Sequence, residues 1–365
     1  MREWVSQLAW PALVGVLAAA LLLTTDWLVP RNTQGPDSYS NAVMVATPSV
    51  VNIYTAKLVA DRSPVLNAPL LRRFMNPGER QPRVERSLGS GVIMREDGHI
   101  ITNRHVIEGA QTIQILLSDG RRASATVVGA DSETDLALLK TELSGLSAIE
   151  TANSDNINVG DVVLAIGNPY GFSHSVSLGI VSGLERYGLQ LSAYENYIQT
   201  DATIHLGNSG GALIDSEGKL VGINTLIYTG VNDQNTEVSG SGIGINLATP
   251  SNLVSVVMSD LIEYGSVIRG WLGVSVDLLM GFDEQGRSTQ SLLVTETAPD
   301  GPAQRAGIQV GDLIVALEGA RVTDARQAMQ TIARLRPGDR VTVGLRRNDD
   351  EFAVDAIVST RPAAP

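Results

Sequence analysis

The 365-residue chain contains no cysteine, so thiol nucleophiles, disulfides, Cys-ligated zinc and iron–sulfur sites are excluded together. That absence leaves the compartment open, because a chain without thiols tolerates an oxidising space without requiring one. Histidine is scarce: His99, His105, His174 and His205 are the only imidazoles. No HExxH word occurs, and His99 and His105, six apart, suit neither helical nor strand pairing of metal ligands. Basic residues are outnumbered, with 27 Lys and Arg against 39 Asp and Glu, for a net charge of −12. A nucleic-acid-binding stripe needs clustered cations to neutralise phosphates, and this balance disfavours one. Aromatics are sparse at 4%, and Trp271 is the only tryptophan outside the first 27 residues.

What is present begins with an apolar run. No charge lies between Glu3 and Asp26, and as a helix that stretch would be roughly 33 Å long, about the thickness of a bilayer's hydrocarbon core. Trp4 and Trp27 sit at its ends, where indoles favour the headgroup interface, and Pro11 falls near enough to the start to be tolerated. Residues 1–28 therefore read as a transmembrane anchor and residues 29–40 as a polar linker. The competing reading is a cleaved signal peptide with Ala18 and Ala20 at an A-x-A site, against which the run continues through Leu21, Leu22 and Leu23. Arg2 and Arg31 flank the span and barely bias its orientation. The amino terminus inside and the bulk of the chain outside is the favoured arrangement.

From Val43 the pattern changes to short apolar runs punctuated by Gly, Asn and Asp, such as VVNIYT, HIITN, LALLK and KLVGINTLIY. Many short strands at close spacing predict barrels or sandwiches rather than a parallel sheet with crossover helices. Residues 61–86, rich in Pro, Arg and Asn, interrupt the series as a long loop. A helix is expected near 250–264, with Leu253, Val256, Val257, Leu261 and Ile262 at helical spacing. Beyond a boundary near 265, strand-like WLGVSV and SLLVTET precede a second helix. Ala325, Ala328, Met329, Ile332 and Leu335 mark one face of it, and it ends before Pro337 and Gly338.

Three words carry chemistry: TNRHV around His105, DLALL beginning at Asp135, and GNSGG around Ser209. Alone, His105 is a helix-start histidine satisfied locally, Asp135 a solvated cap, and GNSGG a tight turn. In the order His, Asp, Ser they match the triad order of chymotrypsin-like proteases. A serine hydroxyl is a weak nucleophile until an imidazole takes its proton, and a carboxylate on the other ring nitrogen fixes the tautomer and stabilises the imidazolium. Gly207 lets the loop turn so that the backbone N–H groups of Gly207 and Ser209, with Asn208 between them, face a developing oxyanion. His205, four residues before Ser209, is too close in sequence to act as its base and reads as a loop-tuning residue.

TNRHVI, DLALLK and GNSGGALID resemble the three active-site words of the HtrA family of serine proteases, and the carboxy-terminal portion resembles that family's PDZ domain. The likeness covers roughly residues 40 to 360 and departs from the usual pattern at His205 and Leu206. It implies a mainly β chain: a chymotrypsin-like double β-barrel protease domain over 41–264, one PDZ domain over 265–361, and the amino-terminal transmembrane helix. Ile204, Asn224, Thr225 and Leu226 are placed at the primary substrate pocket. No acidic residue occurs in 222–228, so a small aliphatic residue such as valine is favoured over Lys or Arg.

RGWLGV at 269–274 resembles a PDZ carboxylate-binding loop, with Trp271, Leu272, Gly273, Val274, Met329 and Ile332 as candidate peptide contacts. Met329 and Ile332 are equally readable as core. A single PDZ domain and an uncleaved anchor resemble the membrane-tethered stress sensors of the family. That likeness implies a single-pass protein of the inner membrane facing the periplasm, and a homotrimer with Tyr39 as a contact. It further implies activation by the carboxy termini of misfolded outer-membrane proteins and cleavage of a membrane-bound anti-sigma factor. Tyr170 and Arg186 match regulatory loops, and no cofactor is implied. Two alternatives stand: a broad quality-control protease, and a tethered peptide-binding or chaperone module with vestigial catalytic residues.

Overall fold

A computed structural model describes residues 14–16, 38–59, 83–167, 175–187, 194–205, 207–227, 246–282, 288–322, 325–348 and 350–361. The anchor expected at 1–28 lies outside these residues, apart from an exposed helical stretch at 14–16. Among the described residues no helix is long and apolar enough to cross a membrane.

The first unit opens with helix α1 (Ser40–Ala46), followed by β1 (Val50–Val59), β2 (Arg83–Ile93), β3 (His99–Asn103), the single-turn α2 (Arg104–Ile107), β4 (Thr112–Leu116), β5 (Arg122–Ser124), β6 (Thr126–Asp131) and β7 (Leu136–Lys140). These strands form one antiparallel sheet in the order β5-β4-β1-β2-β3-β7-β6. The outermost strands, β5 and β6, are separated in sequence by Ala125 alone. Their adjoining ends therefore lie within about 8 Å, two Cα–Cα steps, so the sheet must roll up on itself and is closed by chain rather than by a ladder. The loop expected over 61–86 is shorter at its far end. Residues 83–86 are strand, because β1 and β2 pair along ten positions out to Val59 opposite Arg83.

The second unit contains β8 (Val162–Gly167), β9 (Ser175–Arg186), β10 (Tyr197–Thr200), β11 (Ala212–Ile214), β12 (Leu220–Ile227) and β13 (Asn246–Pro250), a closed barrel in the order β10-β13-β12-β11-β8-β9. Helix α3 (Ser251–Tyr264) follows and stops at Gly265, whose φ of 72° suits a residue without Cβ. Its buried face is Val254, Val257 and Leu261; Val256 and Ile262, expected on that face, are exposed.

Strand alternation explains how the halves join. Val51, Ile53, Ile100, Ala137 and Leu139 point into the first sheet's own core, while Val50, Ile101 and Leu138 point the other way. The second set meets Leu164, Ile166, Ala212, Ile223 and the buried face of α3 in a shared cluster. Strands β1, β3 and β7 are thus apolar on both faces, one for each core.

The last unit begins with β14 (Gly270–Trp271) and β15 (Val274–Phe282), then β16 (Ser288–Thr297), α4 (Pro302–Arg305), β17 (Leu313–Leu317), β18 (Ala320–Arg321), α5 (Ala325–Arg334), β19 (Arg340–Arg347), β20 (Asp350–Ile357) and β21 (Ser359–Thr360). Its main sheet runs β15-β16-β17-β19-β20, which leaves β15 as an edge strand; β14 pairs separately with β21. Leu292, Val294, Ile314, Ile332, Val341 and Val343 lie in its independent core.

Candidate active site

The three sequence words fall at strand ends that face one another across the two barrels. His105 lies on α2, directly after β3. Asp135 lies in the turn before β7, with a φ of 56° that a non-glycine residue holds only when its surroundings enforce it. Here they do. Its carbonyl accepts from the Arg104 N–H at 2.9 Å and from Asn103 Nδ2 at 3.0 Å. Its carboxylate accepts from the His105 backbone N–H at 2.9 Å and from His105 Nδ1 at 2.5 Å. A carboxylate only accepts, so this contact places a hydrogen on Nδ1, and in the neutral ring the lone pair is then on Nε2. The side chain of His105 is 43% exposed and that of Asp135 is 18% exposed, which suits a base that must reach a substrate.

Ser209 sits in the connection from β10 to β11. Gly207, with φ 99°, and Gly210, with φ 83°, adopt backbone open to glycine, and the Asn208 N–H closes a turn on the His205 carbonyl at 2.9 Å. This loop is fastened to the first barrel. Ser90 on β2 donates its N–H to the Ser209 carbonyl at 2.9 Å and its hydroxyl to the Gly207 carbonyl at 2.6 Å. A Cβ on Gly210 would lie 2.2 Å from the Ser90 carbonyl oxygen, 2.3 Å from Thr102 Oγ1 and 3.2 Å from the Asn103 nitrogen. Contact that close brings the serine's loop against the end of β3, two residues from His105. Among the described residues no hydrogen bond takes up the N–H of Gly207 or Ser209.

Beside the serine, Ile204, Asn224 and Thr225 are fully buried. Asn224 spends its amide on the carbonyls of Ala212 and Ile166, at 2.9 and 3.3 Å. Thr225 bonds the Ile223 carbonyl and the Thr249 hydroxyl, both at 3.0 Å, and lies 3.4 Å from Asn103 Nδ2. Both side chains therefore brace the wall of the site from behind. The side chain of Leu226 lies outside the described residues, as does Tyr170. Arg186 is exposed and donates to Gln199 at 2.7 Å.

In the carboxy-terminal unit, Gly273 takes a φ of 78°, and a Cβ there would lie 3.2 Å from the Trp271 ring. The Leu272 and Gly273 carbonyls accept from Ala303 and Ala298, at 2.9 and 2.8 Å, which fixes the 271–274 loop. Leu272 and Ile332 belong to the core, Val274 packs on its border, and Met329 is 39% exposed.

Sequence reasoning missed the contacts that tie this unit to the protease barrels. Arg269, directly before the loop, forks onto Asp131 at 2.9 and 2.5 Å, reaches Glu133 at 3.2 Å, and lies over the Tyr194 ring at 4.5 Å. Burial works against its charge, but the Asp131 hydrogen bond and the neighbouring carboxylates outweigh it and hold the guanidinium above its ordinary range. Burial, with the Glu133 charge, likewise raises the Tyr194 hydroxyl. Arg336 forks onto Asp260 of α3 at 2.8 and 2.7 Å, and Gln330 of α5 donates to the Glu195 carbonyl at 2.5 Å. Asp131 and Glu133 precede Asp135 by four and two residues, a proximity that was the available signal.

Comparison with known proteins agrees with this anatomy. Residues 89–223 match the trypsin-like peptidase domain, and residues 270–358 match the PDZ domain. The chain is 40% identical to the serine endoprotease DegS of Escherichia coli K12, covering 96% of this chain and 97% of that one. It is 36% identical to a probable periplasmic serine endoprotease, DegP-like, of Halomonas elongata, over 95% of this chain and 76% of the relative. The solved structure of the HtrA-type protease AlgW with decapeptide is 43% identical, with a TM-score of 0.73 over 90% of this chain and all of that one. The chain belongs to the HtrA family of serine endoproteases, as a trypsin-like protease unit followed by one PDZ domain.

Proposed function

We propose that this endoprotease is a membrane-tethered stress sensor that works through Ser209, His105 and Asp135. Peptides with a free carboxylate, supplied by misfolded outer-membrane proteins, bind its PDZ domain and stimulate cleavage of a membrane-bound anti-sigma factor on the periplasmic face. The observation that carries the catalytic part is the double hold of Asp135 on His105, through the backbone N–H and Nδ1.

In the reaction, His105 Nε2 takes the proton of Ser209 Oγ as the oxygen attacks the scissile carbonyl. The negative charge that develops on the carbonyl oxygen is met by the Gly207 and Ser209 N–H groups, and Asp135 stabilises the imidazolium. The proton then passes to the leaving amine. Water, deprotonated by the same imidazole, releases the acyl group and restores the serine.

Regulation is supported by the placement of the inter-unit contacts. The start of the PDZ loop and the α5 wall of its groove are bonded to the protease, through Arg269 and Gln330, and Arg269 holds the segment that leads into Asp135. A peptide that binds better to one arrangement of these contacts shifts the population toward it. Assembly as a homotrimer follows the family likeness, and the outward apolar face of β9, where Val176, Leu178 and Ile180 are exposed, offers a surface for contact between copies. Tyr39 itself is half-buried against the inter-barrel cluster.

The test is hydrolysis of a valine-containing substrate by the detergent-solubilised full chain, with and without a carboxy-terminal peptide. Ser209→Ala should abolish cleavage and leave peptide affinity intact, and an amidated peptide should fail to stimulate. Peptidase activity in the Ser209→Ala form removes Ser209 as nucleophile, and equal stimulation by the amide removes carboxylate recognition.

A further inference from the structure

The PDZ groove outruns the helix that walls it. Strand β15 has nine residues and spans about 30 Å when extended, whereas the ten residues of α5 make a helix about 15 Å long. The end of α5 is fixed at the start of the strand system: a Cβ on Gly270 would lie 2.4 Å from the Ile332 carbonyl and 2.8 Å from that of Leu335. Among the described residues, the far half of β15 is therefore left without a helix over it.

That half carries an apolar strip. Val274 and Val276 pack on the core, and by strand alternation Leu278 and Met280 follow on the same face. The register agrees, since Leu278 pairs with Leu292, which is 1% exposed in the core. Yet Leu278 is 46% and Met280 68% exposed, with Leu279, 41% exposed, on the opposite face, along a strand whose outer edge has no neighbouring strand among the described residues. Exposed apolar residues on such an edge are a liability unless a strand is meant to be added there, and Leu278 and Met280 are the two on the groove's own face.

We infer that β15 is an extended reading surface for the last strand of an outer-membrane β-barrel protein, and that it recognises the alternating apolar side chains of that strand as well as its terminal carboxylate. This rests on the peptide-sensing role proposed above. A membrane β-strand is apolar at every second residue over about nine to eleven residues. Added antiparallel to β15 with its terminus at the 271–274 loop, such a strand sets its last and third-last side chains near Val274 and Val276. Its fifth-last and seventh-last side chains then fall on Leu278 and Met280, continuous with the groove. A strand shifted by one residue would present its polar face instead.

The experiment measures displacement of a labelled peptide from the full chain by four unlabelled peptides that share the same last three residues. They are the tripeptide and three decapeptides: one apolar at the fifth-last and seventh-last positions, one with serine there, and one apolar at the fourth-last and sixth-last. The in-phase decapeptide should bind about tenfold more tightly than the other three, an advantage of the size expected for covering two half-exposed apolar side chains. Leu278→Ser and Met280→Ser should each erase part of that advantage while tripeptide affinity stays within about twofold of the unsubstituted chain. Equal affinity of the in-phase and out-of-phase decapeptides overturns the inference and leaves the sensing role standing. Failure of all four to bind overturns both.

Discussion

The fork between Arg269 and Asp131 is the most informative single contact to break. Arg269→Met keeps an unbranched apolar stem and removes the guanidinium, and with it the stacking on Tyr194. The two side chains are 13% and 8% exposed, so solvent screens their attraction little. Losing one partner of such a buried pair costs about 3–5 kcal/mol. The lower end applies here, because Asp131 keeps the Thr134 N–H at 3.0 Å and the Thr134 hydroxyl at 2.5 Å. About 3 kcal/mol is a factor of about 150 in any equilibrium that makes or breaks this contact. If the contact distinguishes resting from stimulated enzyme, the ratio of kcat/KM with and without saturating peptide should collapse toward one in Arg269→Met. By linkage, peptide affinity should lose its dependence on active-site occupancy. Asp131→Asn added to Arg269→Met should then change little, since the pair acts as a unit. The assay is steady-state hydrolysis at zero and saturating peptide, with thermal unfolding as a control for folding. A stimulation ratio within twofold of the unsubstituted enzyme, in a folded variant, would refute the idea that the PDZ unit communicates through this arginine.

Three further outcomes are expected. Gly210→Ala combines a φ of 83° with a Cβ 2.2 Å from the Ser90 carbonyl, so it should destabilise the loop by at least about 1 kcal/mol and cut kcat/KM by about 10² or more; unsubstituted-level turnover would show that the docking of this loop is dispensable. Asp135→Asn preserves the bonds that its carbonyl accepts from the Arg104 N–H and the Asn103 side chain but loses the carboxylate, so kcat should fall by about 10⁴ with little change in melting temperature; retention of a tenth of the activity would remove Asp135 from the mechanism. In the PDZ core, the Asp312 carboxyl is held below its ordinary range by hydrogen bonds from Arg347, with the Gln309 N–H adding to the effect. The unfolded chain therefore takes up this proton first as pH falls, so the contribution is full at neutral pH and declines from about pH 4 downward. Asp312→Asn should lower the neutral-pH melting temperature and flatten its fall in acid, and an unchanged acid slope in calorimetry would count against the assignment.

What the sequence revealed and what it concealed divide along range. His105, Asp135 and Ser209 stand in short words whose backbone geometry is local, and the PDZ loop and both helices are marked by periodicity and glycine. The face of α3 was placed in part: Leu253, Val257 and Leu261 pack on the shared cluster as expected, but apolar residues surround that helix, and only the tertiary cluster decides that Val254 goes inward and Val256 outward. The polar start of β2, RVERS, has no apolar alternation and becomes strand only because β1 pairs with it. Arg269 and Asp131 are 138 residues apart and Ser90 and Gly207 are 117 apart, and no local pattern announces such pairs. Arg269, Asp131 and Ser90, taken singly, each read as a solvated side chain. Arg186, expected at a relay, donates to Gln199 within the second barrel, a partner that its sequence neighbours do not announce.

Strands β1, β3 and β7, apolar on both faces, serve as a party wall between two rooms. Neither half of the protease can part from the other without stripping the same valines, isoleucines and leucines that complete its own interior, so the cleft has no soft axis about which to gape. A swing of the barrels would have to break that shared packing. The peptide switch proposed above therefore acts in the thin layer of turns laid over the wall, where a single hydroxyl such as that of Ser90 holds a carbonyl in place.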